Sequence, residues 1–196
     1  MRLLRRISTK LLVKIVERYH NMSPSTKSRY GVRLVVDSTT LLKVAQKLKL
    51  AGIFWSCSLK RNAKSIQLVV IYAVIGEGKL LIPLDLRIRR PDPKGRGRRC
   101  KEQPALVLEM INDLKMRLIL KGVDPKGWFV VMDSWYGSSD LLEKINGEGF
   151  ITIFEGKSSY VFYLEGNKMK AGELVDRINW RESSCRDLHY ARAVSY

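Results

Sequence analysis

Two aspartates, Asp37 and Asp133, each close a run of apolar residues typical of a buried β-strand, LVVD in the first case and WFVVMD in the second. A strand that ends in a carboxylate places a negative charge at the rim of a sheet. If the two strands are neighbours, the carboxylates lie side by side and repel each other unless a divalent cation lies between them. We therefore predict a metal site in which Asp37 and Asp133 are ligands of Mg²⁺ or Mn²⁺, since hard cations prefer carboxylate oxygens.

The chain is strongly basic. It carries 36 lysine and arginine residues against 19 aspartate and glutamate residues, a formal net charge of +17 over 196 residues. Folding does not need this excess, and self-repulsion makes it a mild liability. Its usual cause is a polyanionic partner, most often a nucleic acid and less often an acidic membrane surface. Together with the paired carboxylates, the charge indicates metal-dependent cutting of nucleic acid.

Basic residues concentrate in two short segments that are candidates for phosphate contact. Residues 87–101 hold eight basic residues against a single acid, Asp92. A solvated loop is the alternative, but this density is more readily explained by contacts with DNA phosphates. The residues predicted to make these contacts are Arg96, Arg98, Arg99 and Lys101. A second cluster, Lys60, Arg61 and Lys64, is equally consistent with backbone contacts and with a solvated surface.

Other residues near the two aspartates have weaker claims to a functional role. Asp85 alternates with leucines, so we expect it to face solvent or to pair with Arg87 or Arg89. Glu155 follows an apolar strand-like run and is expected to be a solvated loop acid rather than a third ligand. The aromatic pair at 135–136 could stack on a displaced base or pack beside Asp133. Asp37 and Asp133 themselves could be structural, each capping the turn after its strand.

The elements that position these residues are predicted from apolar periodicity. Residues 3–19 have the spacing of a basic amphipathic helix, which either docks on the core or belongs to a DNA-binding region. There follow a strand at 34–37, a hairpin of strands at 65–75 and 79–88, a helix between Pro104 and Gly122, a strand at 128–133, a short helix and a strand at 150–154. This order predicts an α/β domain with a mixed sheet and helices packed on it.

The short apolar stretches and the scattered cysteines both favour a cytoplasmic protein. The longest strongly apolar stretch, residues 68–75, is far too short to span a bilayer, so we expect no membrane partner. Cys57, Cys100 and Cys185 are far apart and odd in number, which fits neither a disulfide framework nor a zinc site. We expect a reducing cytoplasm, where DNA binding would associate the protein with the nucleoid.

Four stretches of the chain resemble the DDE transposases of bacterial insertion sequences. They are VVDSTT, residues 52–74, residues 80–91 and VVMDSWYGSSDLLEKINGEGF at 131–150. The resemblance implies an RNase H-like catalytic core over residues 32–155, with Asp37 as the first acid of the triad and Asp133 as the second. It also implies Mg²⁺-dependent DNA strand cleavage and strand transfer at transposon ends, usually by a homodimer that also engages target DNA.

The third acid of that family is a glutamate on a later helix, which follows a β-rich insertion in this branch. Residues 156–196 contain strand-like runs at 159–166 and 186–196 and look like the start of that insertion. No Tyr-x-x-Arg-x-x-x-x-x-x-Glu pattern occurs before Tyr196. We therefore expect a truncated chain, inactive alone for lack of the third acid, in which residues 1–31 form the basic helix and its linker.

Two alternatives remain open. The chain could be a non-catalytic DNA-binding remnant of a transposase, which would give a salt-dependent gel shift without metal-dependent nicking. It could instead be a different RNase H-like nuclease, such as a junction resolvase, complete as it stands. Cleavage of branched DNA by the purified chain would indicate the nuclease.

Overall fold

A computed structural model describes residues 2–20, 32–42, 51–56, 59–75, 80–89, 102–156, 160–164, 167–171, 173, 181–182 and 189–190. The chain divides into two compact units, residues 1–154 and residues 155–196. Within these described stretches, no helix combines the length and the apolar character that crossing a bilayer requires.

The first unit contains three helices and six strands among its described residues. The helices are α1 (Arg2–His20), α2 (Glu102–Ile119) and α3 (Ser139–Gly147). The strands are β1 (Arg33–Leu41), β2 (Gly52–Ser56), β3 (Arg61–Ile75), β4 (Leu80–Arg89), β5 (Phe129–Met132) and β6 (Ile151–Phe154). The predicted α/β class is confirmed.

All six strands belong to one mixed sheet. β3 pairs antiparallel with β1, and β4 pairs antiparallel with β3. On the other side of β1, β5 pairs with it in parallel, and β6 pairs in parallel with β5. β2 forms an antiparallel hairpin with the first residues of β3. β1 is therefore a central strand, with an antiparallel neighbour on one side and a parallel neighbour on the other.

One face of the sheet forms the core against the three helices. Alternate residues of β1, such as Leu34 and Val36, are buried, because successive side chains of a strand point to opposite faces. α2 buries a stripe at helical spacing that includes Met110 and Leu114, both fully buried. α1 joins the same cluster through residues such as Leu12. The predicted amphipathic helix at the N-terminus therefore packs on the core.

Several strand bounds differ from the sequence prediction. β1 does not end at Asp37 but continues to Leu41, because residues 37–41 pair with β3. β2 was not predicted at all, and β3 begins at Arg61 rather than at Ser65. The added part of β3, RNAK, is polar, so periodicity gives no strand signal there. It is extended because it pairs with Trp55 and its neighbours in β2, a contact that local patterning does not encode.

The second unit contains short antiparallel pairs among its described residues. β7 (Val161–Leu164) pairs with β8 (Asn167–Lys170), and β9 (Arg181–Glu182) pairs with β10 (His189–Tyr190). The strand predicted at 159–166 is confirmed over 161–164. Of the run predicted at 186–196, residues 189–190 form a strand, and the rest lies outside the described part of the chain.

Candidate metal site and nucleic-acid interface

Asp37 and Asp133 lie just beyond the point where the pairing of two neighbouring strands ends. β1 and β5 run in parallel, and the last pair in their register is Val36 opposite Met132. Asp37 and Asp133 are the next residues of their respective chains. The two strands are therefore adjacent, which is the condition that the predicted metal site requires. The role of the two aspartates as metal ligands stays a prediction.

Both carboxylates accept a backbone hydrogen bond from a nearby residue. The Oδ1 atom of Asp37 accepts from the Ser38 N–H at 2.7 Å, and the Oδ1 atom of Asp133 accepts from the Trp135 N–H at 2.7 Å. Asp133 is thereby the N-cap of a 3-10 turn at Ser134–Tyr136, as the structural alternative predicted. Asp37 is exposed and Asp133 half-buried, so solvent reaches both side chains.

A buried tyrosine lies beneath this end of the sheet. Tyr136 is 1% exposed, and its hydroxyl accepts a hydrogen bond from Gln103 Nε2 at 2.9 Å. Burial raises the pKa of Tyr136; interactions with the side chains of Gln103 and Ser38 oppose the rise, and the charges of Asp133 and Asp37 add to it. The same phenol therefore lies within the field of both carboxylates.

The donor set at this end suits a hard divalent cation. Mg²⁺ is commonly held by one or two carboxylates, with water molecules and substrate phosphates completing its shell. Asp37 and Asp133 supply carboxylate oxygens of that kind. Among the residues with assigned positions, no group of three or more histidine, cysteine, aspartate or glutamate side chains could hold a metal ion. The pair therefore fits a metal that keeps much of its coordination for water and phosphate.

Asp85 is a core residue, and the expectation that it faces solvent is wrong. The register between β3 and β4 shifts at this point, with Ile71 opposite Asp85 and Tyr72 opposite Pro83. Leu84 is the extra residue of a β-bulge, which breaks the simple alternation and turns Asp85 toward the core face. Asp85 is consequently 0% exposed.

Three arginines surround the buried Asp85 carboxylate. Arg5 Nε of α1 lies 2.6 Å from its Oδ1 atom, and Arg87 Nε lies 3.4 Å from its Oδ2 atom. Arg117 of α2 is at the 4.0 Å limit of an ion pair. The predicted pair with Arg87 is confirmed, and Arg87 also binds Glu109 and Asp113. This acid therefore belongs to an ion-pair cluster that joins α1, β4 and α2.

Burial and charge act differently on the two arginines with shifted pKa values. Burial lowers the pKa of Arg117 most, and the positive charge of Arg5 adds to the effect, while the charge of Asp85 opposes it. For Arg87, burial also lowers the pKa, but hydrogen bonds and negative charges, chiefly from Glu109, outweigh it, so the pKa is raised. The acidic partners of Arg87 therefore outweigh the effect of burial on its pKa, whereas those of Arg117 do not.

The exposed basic cluster lies in the β2–β3 hairpin. Lys60 has a left-handed backbone, with φ 49°, in the turn before Arg61 opens β3, and Lys64 is exposed further along. Asp37 pairs with Val70, and β3 runs antiparallel to β1. Lys64 comes six residues before Val70, about 20 Å along an extended strand. The basic hairpin therefore extends beyond Asp37, in the direction in which β1 runs toward Leu41.

The second predicted DNA-contacting set, Arg96, Arg98, Arg99 and Lys101, lies outside the described residues. The described residues on either side of that segment belong to the aspartate end. Arg89 ends β4 opposite Gln67, hydrogen-bonds to Gln67, and stacks over Phe54 at 5.0 Å. Gln103, in the first turn of α2, contacts Tyr136.

The two aromatic residues that follow Asp133 in the sequence differ in solvent exposure. Trp135 is 64% exposed, whereas Tyr136 is 1% exposed. Tyr136 packs in the core, so it does not present a face for a nucleic-acid base.

Glu155 is exposed, as expected of a loop acid, and it belongs to the second unit.

Comparisons of the chain with known proteins found no match by sequence and a weak likeness by structure. No protein-family model and no curated protein sequence matches the chain. Among solved structures, the chain is similar to the piggyBac transposase in a synaptic complex with hairpin DNA, with a TM-score of 0.40 and 14% sequence identity. The match covers 65% of this chain and 23% of the transposase chain. A likeness this weak carries no argument about function.

Proposed function

We propose that this chain is the RNase H-like catalytic core of a DDE transposase, in which Asp37 and Asp133 bind Mg²⁺ for DNA strand cleavage and strand transfer at transposon ends. The observation that carries the proposal is the parallel pairing of β1 with β5, whose last pair immediately precedes both aspartates. The mixed sheet with helices on its core face supports the same fold. The motif around Asp133, DSWYG, gives the family resemblance.

Each aspartate is oriented by the chain itself. Backbone N–H groups of Ser38 and Trp135 hold one oxygen of each carboxylate, which limits rotation of the side chains and prepares them as ligands. When bound, Mg²⁺ would acidify the attacking water and stabilise negative charge on the scissile phosphate. The family uses a third carboxylate, so we expect metal binding by the pair to be measurable separately from cleavage.

DNA is proposed to lie across the same end of the sheet. The β2–β3 hairpin presents exposed Lys60, Arg61 and Lys64 there, and the net charge of +17 gives the long-range attraction. Such residues would contact phosphates, which position a nucleic acid without reading its sequence. Exposed Trp135, two residues after Asp133, is suited to stacking on an unpaired base. We also propose that the protein acts as a homodimer on paired transposon ends.

Calorimetric titration with Mn²⁺ tests the metal site. We expect Asp37→Asn and Asp133→Asn each to weaken Mn²⁺ binding at least about tenfold, because each removes a charged ligand while keeping the amide oxygen that accepts the local hydrogen bond. Asp124→Asn is the matched control, since Asp124 accepts a hydrogen bond from the N–H two residues later, as Asp133 does, but lies in another turn. Equal Mn²⁺ affinity in all four proteins would refute the assignment.

Salt-dependent binding to duplex DNA tests the nucleic-acid interface. The double variant Lys60→Ala/Arg61→Ala should lower the slope of log affinity against log salt by about 2, since each phosphate contact contributes about 0.9. The control is Lys121→Ala/Lys126→Ala, which removes two exposed charges from the segment that precedes β5, whereas Asp133 follows β5. Identical slopes for both variants would contradict the proposed interface. DNA binding without Mn²⁺ binding would instead favour the non-catalytic remnant.

A further inference from the structure

The β2–β3 hairpin has one buried face and one exposed face. Residues directly opposite each other in an antiparallel pair point to the same side of the ribbon. One side carries Phe54 and Ser65, which are both buried. The other side carries Ile53, which is 76% exposed, opposite the exposed Lys64, and the exposed Asn62 two residues before Lys64. We call Ile53, Asn62 and Lys64 the ribbon face.

Contacts on the buried side hold the hairpin in place. The guanidinium group of Arg89, the last residue of β4, lies 5.0 Å from the centre of the Phe54 ring and also donates to the Gln67 side chain. Near the tip, the Leu59 N–H donates to Ser56 Oγ at 3.3 Å, and Ser56 is 1% exposed. The ribbon face is therefore presented on a fixed support, which lowers the entropic cost of binding a partner.

The charge and the shape of the hairpin both suit duplex DNA. Between Asp37 and Glu77 the sequence contains six basic residues and no acid. Three of the six, Lys60, Arg61 and Lys64, lie in the described part of the hairpin. A basic surface without acids favours a polyanion. A two-stranded β-ribbon fits the major groove of B-DNA, which is about 12 Å wide and exposes the edges of the bases.

Asn62 has the side chain on this face that is best suited to recognise a base. Asparagine is depleted from β-strands, so the fold does not favour it at this position. Among the described residues, no hydrogen bond engages its exposed carboxamide. A carboxamide presents one donor and one acceptor, which match the N7 and N6 groups of adenine in the major groove. The apolar side chain of Ile53 is suited to the methyl group of thymine.

We propose that the ribbon face enters the major groove and that Asn62 determines sequence specificity by a bidentate hydrogen bond to adenine, with Ile53 against a thymine methyl group. The inference rests on the proposed function, in which Lys60 and Arg61 contact DNA phosphates. Those contacts position the duplex without reading its sequence, and the ribbon face supplies the base recognition that they lack.

The strand that carries Asn62 limits its distance from the two aspartates. Asn62 comes eight residues before Val70, which is opposite Asp37, so at most about 27 Å of extended strand lies between them. Since each base pair of duplex DNA rises about 3.4 Å, the adenine should lie within about ten base pairs of the DNA at Asp37.

Selection of duplexes from a library with a random central segment tests the role of Asn62. Binding is carried out in EDTA, so that the result does not depend on the metal site. The unaltered chain should enrich adenine at one position, and Asn62→Ala should lose this enrichment and bind the selected duplex about tenfold more weakly. Asn62→Gln should keep the adenine preference, because glutamine can bind the same base edge. Asn167→Ala, at an exposed asparagine of β8, is the matched control and should change nothing.

An altered base tests the same hydrogen bonds without a protein variant. Replacing the selected adenine by 7-deazaadenine removes the N7 acceptor and should weaken binding by the unaltered chain about tenfold. The same replacement should cost Asn62→Ala nothing further, because both changes remove one interaction. Full affinity of the unaltered chain for the 7-deazaadenine duplex would overturn the inference even if Asn62→Ala failed to fold.

The outcomes distinguish failure of the inference from failure of the proposed function. Salt-dependent binding with no adenine preference, or a preference that persists in Asn62→Ala, would overturn the inference alone. No affinity for duplex DNA would overturn the proposed interface and the inference with it. Fe²⁺ with ascorbate and peroxide should also cut the bound DNA within about ten base pairs of the adenine. Cuts centred farther away would contradict the placement of Asn62, whereas an adenine preference without any cuts would count against the metal site and leave the inference standing.

Discussion

Asp85 and Asp133 are acids of one sheet with opposite surroundings. Asp85 is fully buried and faces three arginines, the nearest of which is Arg5 at 2.6 Å. Asp133 is half-buried at the end of its strand, and its hydrogen bond comes from a backbone N–H. No salt bridge joins Asp37 or Asp133 to a basic side chain within the described stretches. The comparison separates a carboxylate that holds the fold together from a pair suited to a cation.

The difference follows from where each acid sits on its strand. Asp85 lies within β4, where the bulge at Leu84 turns it to the core, and a buried charge is tolerated only when it is paired. Asp37 and Asp133 lie where the β1–β5 ladder ends, so their charges stay in contact with water. Stability and function therefore place different demands on the same residue type in one sheet.

Replacing the buried acid should have the largest effect on stability. Asp85→Asn leaves Arg5, Arg87 and Arg117 without their shared counter-charge, so we expect a loss of about 3–5 kcal/mol in the free energy of unfolding. Urea unfolding followed by tryptophan fluorescence measures it. Folded Asp85→Asn should still bind Mn²⁺ as the unaltered protein does, whereas Asp133→Asn should lose Mn²⁺ binding and little stability.

The control for Asp85→Asn is Asp140→Asn on the surface of α3. Asp140 pairs with Lys144 at 2.9 Å, one helical turn away, and its side chain is 75% exposed. Exposed pairs of this kind contribute about 0.3–0.5 kcal/mol. If Asp85→Asn cost no more than Asp140→Asn, the contrast between buried and surface acids would be wrong.

The smallest effect on stability is expected for a substitution of Arg117. Arg117→Met removes a charge whose pKa burial lowers, and Asp85 keeps its pairs with Arg5 and Arg87. A buried charge that its surroundings disfavour can be replaced by an apolar side chain at little cost. Urea unfolding should show a change within about 1 kcal/mol. A loss as large as that of Asp85→Asn would mean that Arg117 is essential to the cluster.

Local patterning accounts for the elements that carry the site. Apolar runs ending in Asp37 and Asp133 predicted the strands β1 and β5, although β1 continues to Leu41. The helical spacing of residues such as Met110 and Leu114 predicted α2, whose buried stripe is as expected. These features depend on residues close in sequence, which is why the sequence alone reveals them.

Features that depend on distant residues were not predicted. The bulge at Leu84 arises from the register with β3, so alternation alone misplaced Asp85. The contact of Gln103 with Tyr136 spans 33 residues, and that of Arg5 with Asp85 spans 80. Neither leaves a local pattern. The one available signal was the position of Tyr136, three residues after Asp133.

Iron-directed cleavage of the protein backbone tests the central claim most directly. Fe²⁺ replaces Mg²⁺ at oxygen-rich sites, and with ascorbate and peroxide it generates radicals that cut the polypeptide near the metal. Mass spectrometry of the fragments should show cuts next to Asp37 and Asp133, none next to Asp85, and protection by excess Mg²⁺. Cleavage that persists unchanged in Asp133→Asn, or that maps away from both aspartates, would contradict a metal site formed by these two residues.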